Sequence, residues 1–152
     1  MAWLWVFLWL GVIAIESSSA LSSENTGRFL YPVLHFLFGV DPVSFPTWHF
    51  LLRKSGHVFG YGMLSWLLFR ALRVTALSTQ DPSWSMVWSL LAVAGTAFVA
   101  SLDEWHQSFL PSRTGTIRDI LLDTTAAVVI QILVFLLVRG WKKDRKPQLS
   151  TG

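Results

Sequence analysis

Four carboxylates crowd into the stretch SLDEWHQSFLPSRTGTIRDILLD, residues 101–123: Asp103, Glu104, Asp119 and Asp123. They fall where one long apolar segment ends and the next begins. An ionisable group at the centre of a membrane helix costs about 2.5–3.5 kcal/mol on insertion scales, and such groups usually face a bundle interior and carry function. Proton transfer and the binding of a hard cation are the chemistries that such a group of carboxylates serves.

Other polar residues match them in depth. Lys54, His57 and Tyr61 are spaced i, i+3, i+7, which lines one face of a helix. Asp103 and Gln107 are i, i+4, as are Asp119 and Asp123; Glu104 and Gln107 are i, i+3. A rise of about 1.5 Å per residue places Asp123 only about 6 Å deeper than Asp119. Three separate helices would therefore deliver these groups to one layer on one side of a membrane. Arg113 and Arg118 fall in the connection before the last helix, after Phe109, Leu110 and Pro111, with Gly115 to loosen the turn. A guanidinium fork suits phosphate or carboxylate, and the last helix points its positive N-terminal end at the same layer. Basic groups in front of a carboxylate cluster suit an anionic lipid headgroup.

Each residue also has a structural use. Asp119 suits a helix dipole, Lys54 can snorkel to the headgroups, Arg113 can anchor the interface and Tyr61 can serve as a belt aromatic. His57 can make a structural hydrogen bond, and His35, His49 and His106 read as interfacial. The pair Asp103–Glu104 with Gln107 is the hardest to explain in this way.

The elements that must position them are apolar. Of 152 residues, 53% are hydrophobic and 14% charged, with nine Trp, eleven Phe and a mean hydropathy of +0.50. A soluble domain carries about 25% charged residues. The expected class is all-α: a bundle of four transmembrane helices with a short interfacial or re-entrant segment after the first. Residues 1–146 form a single domain and residues 147–152 a disordered tail. There is no cysteine, which excludes disulfides and thiolate metal sites. The net charge of +3 is spread over helix ends and is no nucleic-acid signal.

A bilayer core of about 30 Å needs about 20 apolar residues. Residues 56–72, 84–102 and 120–138 approach that length. Residues 2–15 form a shorter apolar run with no preceding Lys or Arg, as a signal peptide would need. It reads as a retained span that continues through the Ser-rich residues 17–23. Residues 29–40 are too short to cross and contain Pro32, giving an interfacial or re-entrant segment. Pro42, Pro46, Trp48 and His49 then belong to a loop at headgroup depth. Lys and Arg in the short loops put the Arg70–Arg73 turn, the basic tail and both termini in the cytoplasm, leaving the polar layer at the outer leaflet.

At these residues the chain resembles the VanZ-like family of small bacterial membrane proteins. The likeness lies in RKSGHVFGYGML (residues 53–64), SLDEWHQSFLPSRTG (101–115) and RDILLDTTA (118–126). The family elements fall on Lys54, His57 and Tyr61; on Asp103, Glu104, Gln107, Phe109, Pro111 and Arg113; and on Asp119. The chain departs at Ser112 (often Gly in the family), Asp123 (often Asn) and Ala126 (often Gly). Asp123 adds negative charge to the layer. Name-giving members confer low-level resistance to teicoplanin, and the family resembles a wider group of four-helix membrane enzymes acting on lipid headgroups, phosphatidylserine synthase relatives among them.

The resemblance implies a cell-envelope enzyme modifying a lipid or lipid-linked headgroup. Lys54 and Arg113, with Tyr61 and Asp123, are then expected to bind substrate. The catalytic candidates are His57, Asp103, Glu104, Gln107 and Asp119, with His57 or Glu104 as general acid–base. Asp103, Asp119 and Asp123 orient the others or hold a divalent metal such as Mg²⁺ or Mn²⁺. Two other readings remain open. One is a non-catalytic binder of a lipid-linked cell-wall precursor or a lipidated antibiotic. The other is an ion relay, which the sparse polar content of residues 84–100 disfavours.

Overall fold

The computed structural model describes residues 1–76, 84–111, 113 and 115–144; the tail expected over 147–152 lies outside them. The described residues form five α-helices and no strand: α1 (Ala2–Ser17), α2 (Ser23–Phe38), α3 (Phe45–Ala76), α4 (Met86–Gln107) and α5 (Ile117–Asp144). The α3, α4 and α5 helices pack against one another, and α1 packs mainly against α3. Two helices, Met86–Gln107 and Ile117–Val138, are long and apolar enough to cross a membrane. Only 22% of each of these windows is buried, so most of the apolar surface faces outwards, as a lipid solvent requires and an aqueous one penalises.

The α1 helix stops at Ser17 and does not continue through the serines. A single 3₁₀ turn, Ser19–Leu21, separates it from α2. Serine hydroxyls bond nearby backbone and compete with the helix. Ser18 Oγ donates to the Ile15 carbonyl (2.7 Å), while Ser22 Oγ accepts from Asn25 N–H (3.4 Å) and so caps α2. At 16 residues, α1 is about 24 Å long. It runs antiparallel to α3: Trp3 Nε1–H donates to Thr75 Oγ1 (2.8 Å) and Trp9 Nε1–H to the Gly60 carbonyl (2.8 Å).

Pro32 does not interrupt the next segment, which is one helix from Ser23 to Phe38 with Pro32 inside it. Its end is set at Gly39, a left-handed cap (φ +66°) whose N–H returns to His35. The α2 helix exposes Phe29, Val33, Phe36 and Leu37 and buries Leu34.

The expected headgroup loop is largely helix. Asp41 Oδ1 accepts from Val43 N–H (2.8 Å) and Ser44 N–H (3.0 Å), and Ser44 Oγ donates to Asp41 Oδ2 (2.8 Å). The Ser44 hydroxyl and then these N–H groups hold the Asp41 carboxyl below its ordinary value. The α3 helix begins immediately afterwards, so Pro46, Trp48 and His49 lie in its first turns. Proline fits there because first-turn N–H groups have no partner within the helix. With 32 residues, α3 spans about 48 Å and starts eleven positions before the expected span.

Deeper in the bundle one polar clasp joins three helices. Gln131 Nε2 of α5 donates to Ser65 Oγ (2.9 Å) and the Ser65 carbonyl (3.0 Å) of α3, and Ser89 Oγ of α4 donates to Gln131 Oε1 (3.1 Å). All three residues are buried. Interhelical hydrogen bonds of this kind contribute about 0.6–2 kcal/mol each in lipid. Gln131→Leu should lower stability by about 1–2 kcal/mol, read as an earlier thermal unfolding transition in detergent.

Candidate functional site

The polar residues of α3, α4 and α5 meet at one end of the bundle. Because α4 runs opposite to α3 and α5, its C-terminal turns face the amino-terminal halves of its neighbours. Lys54 of α3 forms an ion pair with Asp119 of α5. One helical turn along, His57 Nδ1 hydrogen-bonds Asp123 Oδ2 (3.3 Å). A further turn along, Tyr61 Oη–H donates to Asp103 Oδ2 of α4 (2.8 Å), and Gln107 Nε2 donates to the same oxygen (2.9 Å). The i, i+3, i+7 face of α3 is thus matched rung by rung to α5 and α4. His57 and Tyr61 also stack, with ring centroids 6.1 Å apart.

Glu104 occupies the inner corner. Its Oε2 accepts the Thr116 backbone N–H (2.7 Å), which ties the α4–α5 connection onto α4. Gly115 makes that approach available: a Cβ there would collide with the Glu104 carbonyl. The glycine therefore admits close contact, beyond merely loosening a turn. Gly115→Ala should displace this connection and cost about 2 kcal/mol, with the loss read by thermal unfolding.

Arg113 differs most from expectation. Its Nη2 donates to the carbonyls of Glu16, Ser18 (3.0 Å) and Leu21 (2.7 Å), the open C-terminal end of α1 and the 3₁₀ turn. Burial draws this guanidinium below its ordinary value and Arg53 adds to that, while Asp103, Glu16 and Glu104 oppose it. An arginine stays cationic throughout. The side chain that was expected to grip phosphate is thus mainly a staple between the α4–α5 connection and the amino-terminal turns. Arg118, expected in the connection, lies in the first turn of α5 and is exposed.

A polar cavity of about 300 Å³ opens on this network, lined by Arg53, Lys54, His57, Gln107, Arg113 and Asp119 among others. A second, of about 420 Å³, lies against the end of α1 and shares His49, Arg53, His57 and Arg113 with the first. Tyr61 and Asp123 are 2% and 0% exposed and line neither cavity. Both were expected to contact substrate; here Tyr61 bonds Asp103 and Asp123 bonds His57. Asp103 and Glu104 also lie off the walls, next to the groups that form them.

Sequence spacing missed two site residues. Glu16 lies in the last turn of α1 and lines the second cavity; its Oε1 would sit 3.0 Å from a Cβ at Gly56. Arg53, noticed only as a flanking charge, lines both cavities and donates to the Leu21 carbonyl (3.2 Å). A carboxylate closing an apolar run, opposite Gly56 and Gly60, was the available signal for Glu16. His49 is buried and bonded to Thr26 Oγ1 (2.9 Å), whereas His106 is exposed, as an interfacial residue would be.

No curated protein and no solved structure among those compared matches the chain. The VanZ/LLP1 family model matches residues 2–139, nearly the whole chain and every residue of the network. Together with two outward-facing apolar helices, this match points to a membrane protein. The chain belongs to the VanZ/LLP1 family.

Proposed function

We propose that this VanZ/LLP1 family protein is a cell-envelope enzyme that modifies the headgroup of a lipid or lipid-linked precursor at the outer leaflet of the bacterial inner membrane. The observation that carries the reading is the rung-by-rung network of Lys54–Asp119, His57–Asp123 and Tyr61–Asp103–Gln107 opening on a basic cavity. In this reading Arg53 and Lys54 bind headgroup phosphate. His57, oriented by Asp123, and Glu104 move the proton. Asp103, Asp119 and Gln107 hold these groups in register.

Four helices, α1, α3, α4 and α5, cross the bilayer in this reading, with both termini cytoplasmic and α2 lying in the interface. The α1 helix meets α3 from Thr75 back to Gly56, about 28 Å along α3, which supports a full crossing. The exposed apolar side chains of α2 suit an interfacial helix.

The test is purified protein in lipid with phosphate-labelled headgroups, across divalent metal conditions. A chemically altered headgroup is expected, as is a raised teicoplanin tolerance in a susceptible host expressing the protein. Folded protein that leaves every lipid unchanged would overturn catalysis. One observation favours a second reading, retention without turnover. An apolar groove of about 850 Å³ between α3 and α5 shares Lys54 with the polar cavity and would seat an acyl chain. Native mass spectrometry separates the two by whether the bound lipid is altered.

A further inference from the structure

We propose that His57, Glu104 and Asp123 form a binding site for one first-row divalent transition-metal ion, with Mn²⁺ and Zn²⁺ the best-suited ions. One ligand atom from each residue, a ring nitrogen and two carboxylate oxygens, lies within 4.8 Å of the other two. Two ligands about 2.2 Å from one ion are about 3.6 Å apart at a tetrahedral angle and about 4.4 Å apart when opposite, so the widest pair has at most about 1.2 Å to close. The sequence offers Asp103, Asp119 and Asp123 either to orient the other groups or to hold a metal. Asp103 is occupied by Tyr61 and Gln107, and Asp119 by Lys54.

A second observation points to a ligand. Glu104 Oε1 and Asp123 Oδ1 are buried and have no hydrogen-bond partner among the described residues, although the two residues are only 4% and 0% exposed. A buried carboxylate oxygen without a partner is costly, and buried charges are normally paired or bound to metal. The formal charges agree. Glu16, Asp103, Glu104, Asp119 and Asp123 border the site, against the fixed cations Arg53, Lys54 and Arg113. Five against three leaves an excess of two negative charges, which one divalent ion cancels.

The donor types select the ion. Ca²⁺ and Mg²⁺ favour all-oxygen sites, whereas an imidazole beside two carboxylates suits Mn²⁺ or Zn²⁺. Thr116 N–H on Glu104 Oε2 holds that ligand from outside, as outer-shell partners do in metal sites. His57 lines both polar cavities, which gives an ion its entry path. With an ion bound, His57 and Glu104 would hold it, and the ion would supply Lewis-acid chemistry to this cavity.

The inference concerns the same cavity but not the lipid reading, because metal retention is measured without lipid or turnover and either can fail alone. Full-length protein in detergent, stripped with chelator and titrated with Mn²⁺, should take up close to one ion per chain. Electron spin-echo modulation should show nitrogen directly coordinated to that Mn²⁺. The single variants His57→Gln, Glu104→Gln and Asp123→Asn should each weaken binding by more than about 100-fold, since loss of outer-shell partners alone costs about 10–100-fold. Glu24→Gln, at an exposed carboxylate paired with Arg28, should bind like the parent. If the variants fail to fold, the nitrogen signal of the parent decides. Oxygen-only coordination, uptake far below one ion, or equal binding by the parent and all three variants would overturn the proposal.

Discussion

Glu104→Gln is expected to lower headgroup turnover by about 10²–10⁴-fold while leaving the fold in place. The amide oxygen of glutamine can still accept the Thr116 N–H that Glu104 Oε2 accepts now, so the α4–α5 connection keeps its tie. What disappears is an anionic oxygen, Oε1, buried near His57 with no donor of its own among the described residues. A structural role for Glu104 therefore predicts a stable and active variant, and a chemical role predicts a stable and inactive one. Thermal unfolding and labelled-lipid turnover on the same preparation read the two separately. Asp103→Asn is a gentler change, because an amide oxygen still accepts from Tyr61 and Gln107. If both variants keep full turnover, the site assignment falls.

Arg113→Met should cost about 3–5 kcal/mol of stability, more than any other single change considered. One guanidinium nitrogen, with two hydrogens to give, is shared among the carbonyls of Glu16, Ser18 and Leu21. The arginine is only 9% exposed, so water is a poor replacement. The Leu21 carbonyl keeps its bond from Arg53, so the Glu16 and Ser18 carbonyls are the acceptors left without this donor, each at about 1–3 kcal/mol. Lysine keeps the charge but offers a compact point donor in place of a planar fork, so Arg113→Lys should recover less than half of the loss. A thermal transition in detergent measures both variants. Parent-like stability in Arg113→Met would mean that the amino-terminal turns hold themselves.

Much of the site was legible because helical periodicity converts spacing directly into a shared face. Lys54, His57 and Tyr61 need only a helix to align, and Asp119 and Asp123 likewise. That three apolar segments would present them at one depth followed from length alone. Pairings across the chain carry no such signal. The Arg113 staple spans 92 to 97 positions, and the Gln131 clasp spans 66. Glu16 closes an apolar run and Gln131 stands alone within one, and no repeat marks either. Helix ends were misread wherever local hydrogen bonding decided them. The Ser18 hydroxyl turned back on α1, Ser22 capped α2, and Asp41 with Ser44 opened α3 well ahead of its apolar run. Pro32 predicts a break, yet α2 continues through it to the Gly39 cap.

The Arg113 staple also fixes an order of events during biosynthesis. The carbonyls at the end of α1 leave the ribosome 97 residues ahead of the side chain that will satisfy them. At about 5–20 residues per second that gap lasts roughly 5–20 s. For that interval the nascent amino-terminal hairpin must borrow other donors, from headgroups, water or the insertion machinery. The finished cavity can exist only once the second half of the polypeptide has been delivered.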